Sequence, residues 1–241
     1  MSNDPFRPFE TNLDQDSALA MVRDATNGAD DGELFLERRR SEVLSFDDGR
    51  IRTASYDASE GFGLRAVRGE VAGYAHSTTI DENALRRAVA TTQLAVGAGG
   101  GTLADAPPRT NTVLYTDADP MAEATFPAKI DLLKEIDAFC RDVDPRVVQV
   151  SATLAASHQE VFILRPEGTL VTDTRPMSRL NISVIVEQNG VRESGGMGGG
   201  GRAGLIGLKS PSHWQPVARE ALRIALVNLD AVPAPAGVMD V

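Results

Sequence analysis

Two hydrophobic periods alternate along the chain, and their order sets the expected architecture. Ala18, Met21, Val22 and Ala25 recur at helical spacing, which predicts a helix over about Asp14–Ala25 closed by Asn27-Gly28. Period-two segments follow. Leu34 and Leu36 alternate with Phe35 and Glu37; Val43–Phe46 is short and β-rich; Asp47-Asp48-Gly49 signals a turn; Ile51–Tyr56 returns. Gly61–Val67 places Phe62, Leu64 and Ala66 on one face, and Arg68-Gly69-Glu70 turns the chain into Val71–Ala75. A helix from about Asp81 carries Leu85, Ala88, Val89 and Thr92 inward and ends at Gly97–Gly101.

The second half repeats this grammar. Leu132, Leu133, Ile136, Phe139 and Cys140 predict a helix over about Ala128–Arg141. Strands are expected at Val147–Ala155, Glu160–Leu164 and Leu170–Thr174, with a turn at Pro166-Glu167-Gly168. Next comes an alternating strand with Leu180, Ile182, Val184 and Val186 on one face and Asn181, Ser183, Ile185 and Glu187 on the other. Asn189-Gly190 suits the two left-handed positions of a type I′ hairpin turn. A final helix is expected over about Pro216–Val227, with Val217, Ala221, Ile224 and Ala225 inward. Each half thus reads helix, about five strands, helix. Gly49 and Gly168 close equivalent turns at an offset of 168 − 49 = 119, and Gly69 falls within two residues of Gly190 at that offset. The expected fold class is α+β: two similar antiparallel-sheet units, each flanked by helices. The expected organisation is a flexible tail at 1–12, an N-terminal α+β unit at 13–97, a connector at 98–127, a central α+β unit at 128–230, and the start of a further domain at 231–241.

Composition narrows the functional classes. The chain has 241 residues, an apolar fraction of 42% and a charged fraction of 24%, as expected of a globular protein. A formal net charge of −10 argues against nucleic acid as a partner, because phosphate binding needs clustered cations. Arg38-Arg39-Arg40 is flanked by Glu37 and Glu42 and reads as a solvated strand edge. The one cysteine, Cys140, allows no intrachain disulfide and fits a reducing compartment, and the expected location is the cytoplasm. Residues 1–11 lack the apolar run of a signal peptide, and no stretch approaches the roughly 20 apolar residues of a membrane span.

Candidate chemistry concentrates in Gly195, Gly196, Gly198, Gly199, Gly200, Gly201 and Arg202. Glycines cannot build a core, and ordering so many of them is costly unless close approach or unusual backbone geometry uses them. The run lacks a Gly-Lys-Ser/Thr and does not lead straight into a helix, so it is a poor phosphate loop. An extended glycine strand instead offers its backbone edge to an incoming peptide, and Arg202 could hold a carboxylate or carbonyl. The competing reading is a loop packed closely against a neighbouring domain or subunit. His76, His158 and His213 show no metal-ligand spacing, and His158 is expected in a hairpin turn. Cys140 reads as core, and Ser194 lacks a nucleophile-elbow context.

Several separated segments, in order, carry a family resemblance: Asp117-Ala118-Asp119-Pro120, Arg146-Val147-Val148-Gln149-Val150, the run Gly198–Arg202 after its Asn-Gly hairpin, and Ala225-Leu226-Val227-Asn228-Leu229 leading to Pro235-Ala236-Gly237-Val238-Met239. Nearly the whole chain resembles the N-terminal portion of TldD-like (TldD/PmbA family) metallopeptidase subunits, proteins once described as modulators of DNA gyrase. The acidic balance lends that older label no support. The resemblance implies a zinc peptidase acting on unfolded peptides, paired with a homologous TldE/PmbA-type subunit. In the family, two histidines of a His-Glu-x-x-x-His helix and a distant cysteine hold zinc, and the glutamate activates water. No position here matches those residues, so neither catalytic nor metal-binding residues are assigned, and the chain alone is expected to be inactive and to bind no zinc. The expected role is to shape the peptide-access chamber and the subunit interface. The alternative is a free-standing peptide-binding or assembly module, a truncated relative without catalysis. The apolar Val238-Met239-Asp240-Val241 resembles the start of the strand that precedes the metal-binding helix. Reading the coding DNA just beyond Val241 is expected to reveal that helix; a stop codon with no such helix downstream would favour the binding-module reading.

Overall fold

A computed structural model describes residues 5–97, 115–232 and 236–238. Of the further domain expected to start at 231–241, residues 233–235 and 239–241 lie outside the described residues, as does the part of the connector at 98–114. Six strands, β1 (Asp31–Asp47), β2 (Arg50–Arg68), β3 (Val71–Ser77), β4 (Val147–Leu164), β5 (Leu170–Gln188) and β6 (Val191–Gly201), form an antiparallel sheet in the order β3-β2-β1-β4-β5-β6. The α+β class is therefore as expected.

The strands are longer and fewer than the pattern suggests. Leu34–Glu37 and Val43–Phe46 are parts of one 17-residue strand, and Val147–Ala155 and Glu160–Leu164 are parts of one 18-residue strand. The polar Arg38-Arg39-Arg40, expected as a solvated strand edge, and His158, expected in a hairpin turn, both lie within strands. A strand is defined by its backbone ladder, and polar side chains on a half-exposed surface leave that ladder intact. The turns that do form carry left-handed backbone: Asp48 and Gly49 (φ 47° and 78°), Gly69 (55°), Gly168 (97°), and Asn189 and Gly190 (53° and 80°). Each half of the sequence then reads helix, three strands, helix.

The chain forms two compact units that exchange segments along the sequence. One comprises 1–40, 57–117 and 158–175; the other comprises 41–56, 118–157 and 176–241. In the first unit, α1 (Pro8–Thr11), α2 (Gln15–Ala25) and α3 (Glu82–Val96) cover a core that includes Val22, Leu34, Leu36, Leu64, Leu85 and Leu164. Asp14 and Asp81 cap α2 and α3 by accepting the Ser17 and Ala84 N–H groups at 2.8 and 2.7 Å. Gly28 (φ 75°) and Gly97 (φ 72°) follow the two helices where the sequence placed their stops. Within the stretch expected as a tail, Phe6 is buried, meets Phe162 edge-on at 5.6 Å and lies under the Arg38 guanidinium at 4.9 Å.

In the second unit, α4 (Phe126–Val143), α5 (Leu205–Lys209) and α6 (Pro211–Leu229) close over Leu44, Phe46, Val150, Leu154, Leu180, Ile182 and Val184. Thr125 caps α4, and Pro127 sits in its first turn. Lys129, almost fully buried on α4, pairs with Glu42 at 2.5 Å and donates to the Met121 carbonyl at 2.9 Å. The last helix begins at Pro211, not Pro216. Pro211 takes the first-turn position, and Trp214 becomes a core residue against Phe139, with ring centroids 5.2 Å apart. The inward stripe is accordingly Trp214, Ala218, Ala221, Leu222 and Ala225.

Leu133 on α4 is fully buried. Leu133→Ala is expected to lower unfolding stability by about 2–5 kcal/mol through lost transfer energy plus a cavity, read as a shift in urea midpoint at unchanged m-value.

Candidate functional site

β6 is an end strand of the sheet, and its register with β5 assigns each glycine a face. Leu180 pairs with Gly199, Ile182 with Met197 and Val184 with Gly195, so the odd-numbered residues of β6 share the face of the β5 core residues. Asn181 pairs with Gly198, Ser183 with Gly196 and Arg179 with Gly200, so the even-numbered glycines face away from the helices.

Helix α6 packs directly on the odd face. A Cβ on Gly195 would collide with the backbone of Ala221 and Ala225, whereas one on Gly199 would make ordinary contact with Val217 at 3.5 Å. Close packing against a neighbour therefore accounts for Gly195, and the neighbour is this chain's own helix. On the even face, a Cβ on Gly200 would meet the Ser178 carbonyl and the Arg179 backbone. One on Gly198 would meet the Asn181 carboxamide, which leans over that glycine and accepts from Arg179 Nε at 2.9 Å. Gly196 has no atom nearer to such a Cβ than the Ile182 carbonyl at 3.7 Å, and Gly201 has none within 4 Å. Packing gives no reason for glycine at 196, 199 or 201.

The hairpin also fixes which backbone groups face outward. A two-residue Asn189-Gly190 turn makes Gln188 and Val191 a hydrogen-bonded pair, and such pairs recur at every second position. The odd-numbered residues of β6 therefore bond to β5, and the even-numbered ones point N–H and C=O outward. The Ser194 carbonyl confirms this parity, because it accepts from Asn228 Nδ2 of α6 at 2.9 Å. Asn228 fills the edge at Ser194. Gly196, Gly198 and Gly200 present their donors and acceptors beyond it, and among the described residues no strand pairs with them.

The even face continues into a polar surface. Ser151 and Thr153 of β4, Asn181, Ile182 and Ser183 of β5, and Gly196, Met197 and Gly198 of β6 line a shallow depression of about 330 Å³. Beside it, Asp47 accepts from Ser151 Oγ at 2.6 Å and Gln149 Nε2 at 2.8 Å, and these bonds hold its carboxyl below the usual carboxylate range. Sequence reasoning assigned no role to Ser151, Thr153 or Asp47. The available signal was the run of small polar residues at alternate positions opposite the core. Arg202, expected to hold a carboxylate, follows the last residue of β6 and is half-buried.

The other candidates are dispersed. His158 lies inside β4 and not in a turn; it is buried, with Nδ1 3.2 Å from Arg40 Nη2 and Nε2 3.3 Å from the Asp117 carbonyl. His76 stacks on Tyr74 at 5.7 Å, and His213 is exposed in the first turn of α6. Burial and then the nearby Asp137 push the Cys140 thiol up to about 11, so it is no nucleophile at neutral pH. Among the described residues no three His, Cys, Asp or Glu side chains form a metal-ligating group. They do not fit a zinc site, and no metal-dependent step is derived from them.

Comparison with known proteins places the chain. Residues 32–95 match the PmbA/TldA metallopeptidase domain 1, and residues 119–229 match the PmbA/TldA metallopeptidase central domain. The Metalloprotease TldD homolog of Haemophilus influenzae is 38% identical over 220 residues, covering 88% of this chain and 45% of that protein. Its counterpart in Buchnera aphidicola subsp. Acyrthosiphon pisum is 32% identical over 238 residues, covering 95% and 49%. The fold is similar to a modulator of a DNA gyrase from Thermotoga maritima (TM-score 0.72, 14% identity, covering 92% of this chain and 49% of that one). It is also similar to TldE from Thermococcus kodakarensis (TM-score 0.66, 14% identity, covering 86% and 46%). The chain spans about half the length of the curated relatives it matches.

The Asp47 bonds generate a pH prediction. A folded-state pKa below the unfolded one, about 3.9, contributes stability above that value and loses it as pH falls through the folded pKa. The stability difference between wild type and Asp47→Asn is therefore expected to be present at pH 6 and to shrink as pH falls toward 2, measured by urea unfolding at each pH. A pH-independent difference would refute this role.

Proposed function

The chain belongs to the PmbA/TldD metallopeptidase family, and on that premise we propose that it is the N-terminal, non-catalytic portion of a zinc metallopeptidase subunit that degrades or processes unfolded peptides. Its part is to shape the path by which the peptide enters and to contribute to the interface with a homologous TldE/PmbA-type subunit. The observation that carries this reading is the edge at Gly196, Gly198 and Gly200, with which no strand pairs among the described residues. An extended peptide can pair there by backbone hydrogen bonds alone, which requires an unfolded segment and no particular sequence. The names of the curated relatives support the peptidase class. The fold likeness to TldE supports the kind of partner. Arg202, next along from the glycine edge, is assigned the carboxylate or carbonyl of the bound strand. The single cysteine and acidic charge fit a cytoplasmic protein without nucleic-acid partners, and no helix among the described residues is long and apolar enough to cross a membrane.

A free-standing peptide-binding or assembly module is the second reading. It is favoured by one observation: the free edge and the polar depression beside it are built within residues 41–56, 118–157 and 176–241 of this chain. The two readings separate on activity. A longer product carrying the His-Glu-x-x-x-His helix is expected to cleave unstructured peptides and to stop when a chelator removes its metal. Cleavage indifferent to chelator would sink the metallopeptidase reading.

The edge itself is tested by comparing Gly196→Pro with Gly196→Ala. Space is available for a Cβ at this position, and proline is tolerated where a strand N–H faces outward. The two variants differ chiefly in that N–H. Binding of a labelled unstructured peptide, read by fluorescence anisotropy, is expected to be about 2- to 10-fold weaker in the proline variant, the worth of one net hydrogen bond. Equal affinities would remove Gly196 from the peptide path.

A further inference from the structure

The depression beside the glycine edge is specific in its chemistry. Its lining combines the uncharged polar side chains of Ser151, Thr153, Asn181 and Ser183 with Ile182 and a β6 rim of Gly196, Met197 and Gly198, so an apolar stem and a polar, uncharged head both find partners there. Opposite charges flank it. Asp47 is bonded to the Ser151 wall, and Arg179 is bonded to the Asn181 wall. Neither sign of charge is therefore favoured at its centre. Gly196 leaves this space open although nothing packs into it. The other even-numbered glycines differ, since Asn181 leans over Gly198 and the β5 backbone crowds Gly200.

From this geometry we propose, resting on the β6-edge reading above, that the depression is a side-chain subsite for a long, uncharged polar residue of the bound strand, with glutamine the best fit. Strands in a sheet lie about 4.8 Å apart, so a strand added to β6 runs roughly 9.6 Å from β5. Its side chains alternate between the two faces. Those on the even face cross above the β6 glycines toward Asn181 and Ser183. With standard bond lengths, a serine oxygen ends about 2.4 Å from its own Cα and stops short, whereas a glutamine carboxamide extends about 5 Å and bridges to those side chains. The carboxamide supplies both a donor and an acceptor, which matches a lining of hydroxyls and a carboxamide. A leucine of similar length would offer no hydrogen bond to the Asn181 amide or the Ser183 hydroxyl. On the odd face α6 lies against β6 at Gly195, so the residues on either side of the guest receive no comparable pocket. Asn228, bonded to the Ser194 carbonyl, closes one end of the edge and sets where the strand begins.

The test uses an unstructured Ala/Thr peptide with a single central guest position, titrated against the whole chain. Guests are Gln, Leu, Glu, Lys, Ser and Ala, and the two proteins are wild type and Asn181→Ala/Ser183→Ala. For wild type the glutamine peptide is expected to bind about 3- to 10-fold more tightly than each of the others, on the scale of one or two net hydrogen bonds. In the double variant that preference is expected to collapse while the alanine peptide binds as before. No preference for glutamine in wild type, a stronger preference for lysine or glutamate, or a preference that survives the double variant would overturn the subsite. The edge reading fails separately: Gly196→Pro would then bind the alanine peptide as well as Gly196→Ala does. Urea midpoints of the double variant, expected within about 1 kcal/mol of wild type because Asn181 is half-buried and Ser183 exposed, show that the comparison is between folded proteins.

Discussion

The site depends on one packing contact, the approach of α6 to the backbone of β6 at Gly195. No side chain fits there, because a Cβ would enter the backbone of Ala221 and Ala225. By covering one face of β6, α6 anchors an end strand that would otherwise be held by β5 alone. An isolated glycine-rich strand would be expensive to order. The same contact decides what is left over. With α6 packed on the odd face at Gly195 and β5 occupying the inner edge, the outer edge and the even face are the surfaces of β6 that remain most open among the described residues. An extended chain needs both, one for its backbone and one for its side chains.

The sequence was most legible where backbone geometry forces a residue type. Asn189-Gly190, Gly69, Gly168 and Asp48-Gly49 all adopt the left-handed angles that their identities suggested. The Asp14 and Asp81 caps stand at their helix starts for the same local reason. It was least legible where side-chain polarity stood in for backbone geometry. Arg38–Glu42 and Ser157–Gln159 look like interruptions but are mid-strand. His158 belongs to this error: its polarity suggested a turn, whereas Arg40 and the Asp117 carbonyl satisfy it inside β4. Pro216 misled in the same way, since proline marks a helix start only if no earlier proline already occupies the first turn.

The candidate site shows the same division. The glycine run drew notice as composition, but composition cannot say which glycine serves which purpose. That sorting needs the register with β5 and the position of α6, both of which are long-range. The walls of the depression come from β4 and β5, far from the glycines in sequence, and their signal is faint: small polar residues at every second position.

Glycine at a given position can reflect packing, side-chain crowding or function, and only structure separates these. Gly195 and Gly200 are held by backbone approach, and Gly198 makes room for Asn181. Gly196 has no such cause and yet opens onto the depression, with its N–H and C=O pointing off the edge. A side chain at this position would project into the depression, which makes Gly196 the glycine of the run whose identity the proposed peptide path explains and packing does not. Gly199 and Gly201 are unconstrained as well, but their odd parity turns their backbone groups toward β5. The case for a bound strand therefore rests on Gly196, and the length of the run adds little to it.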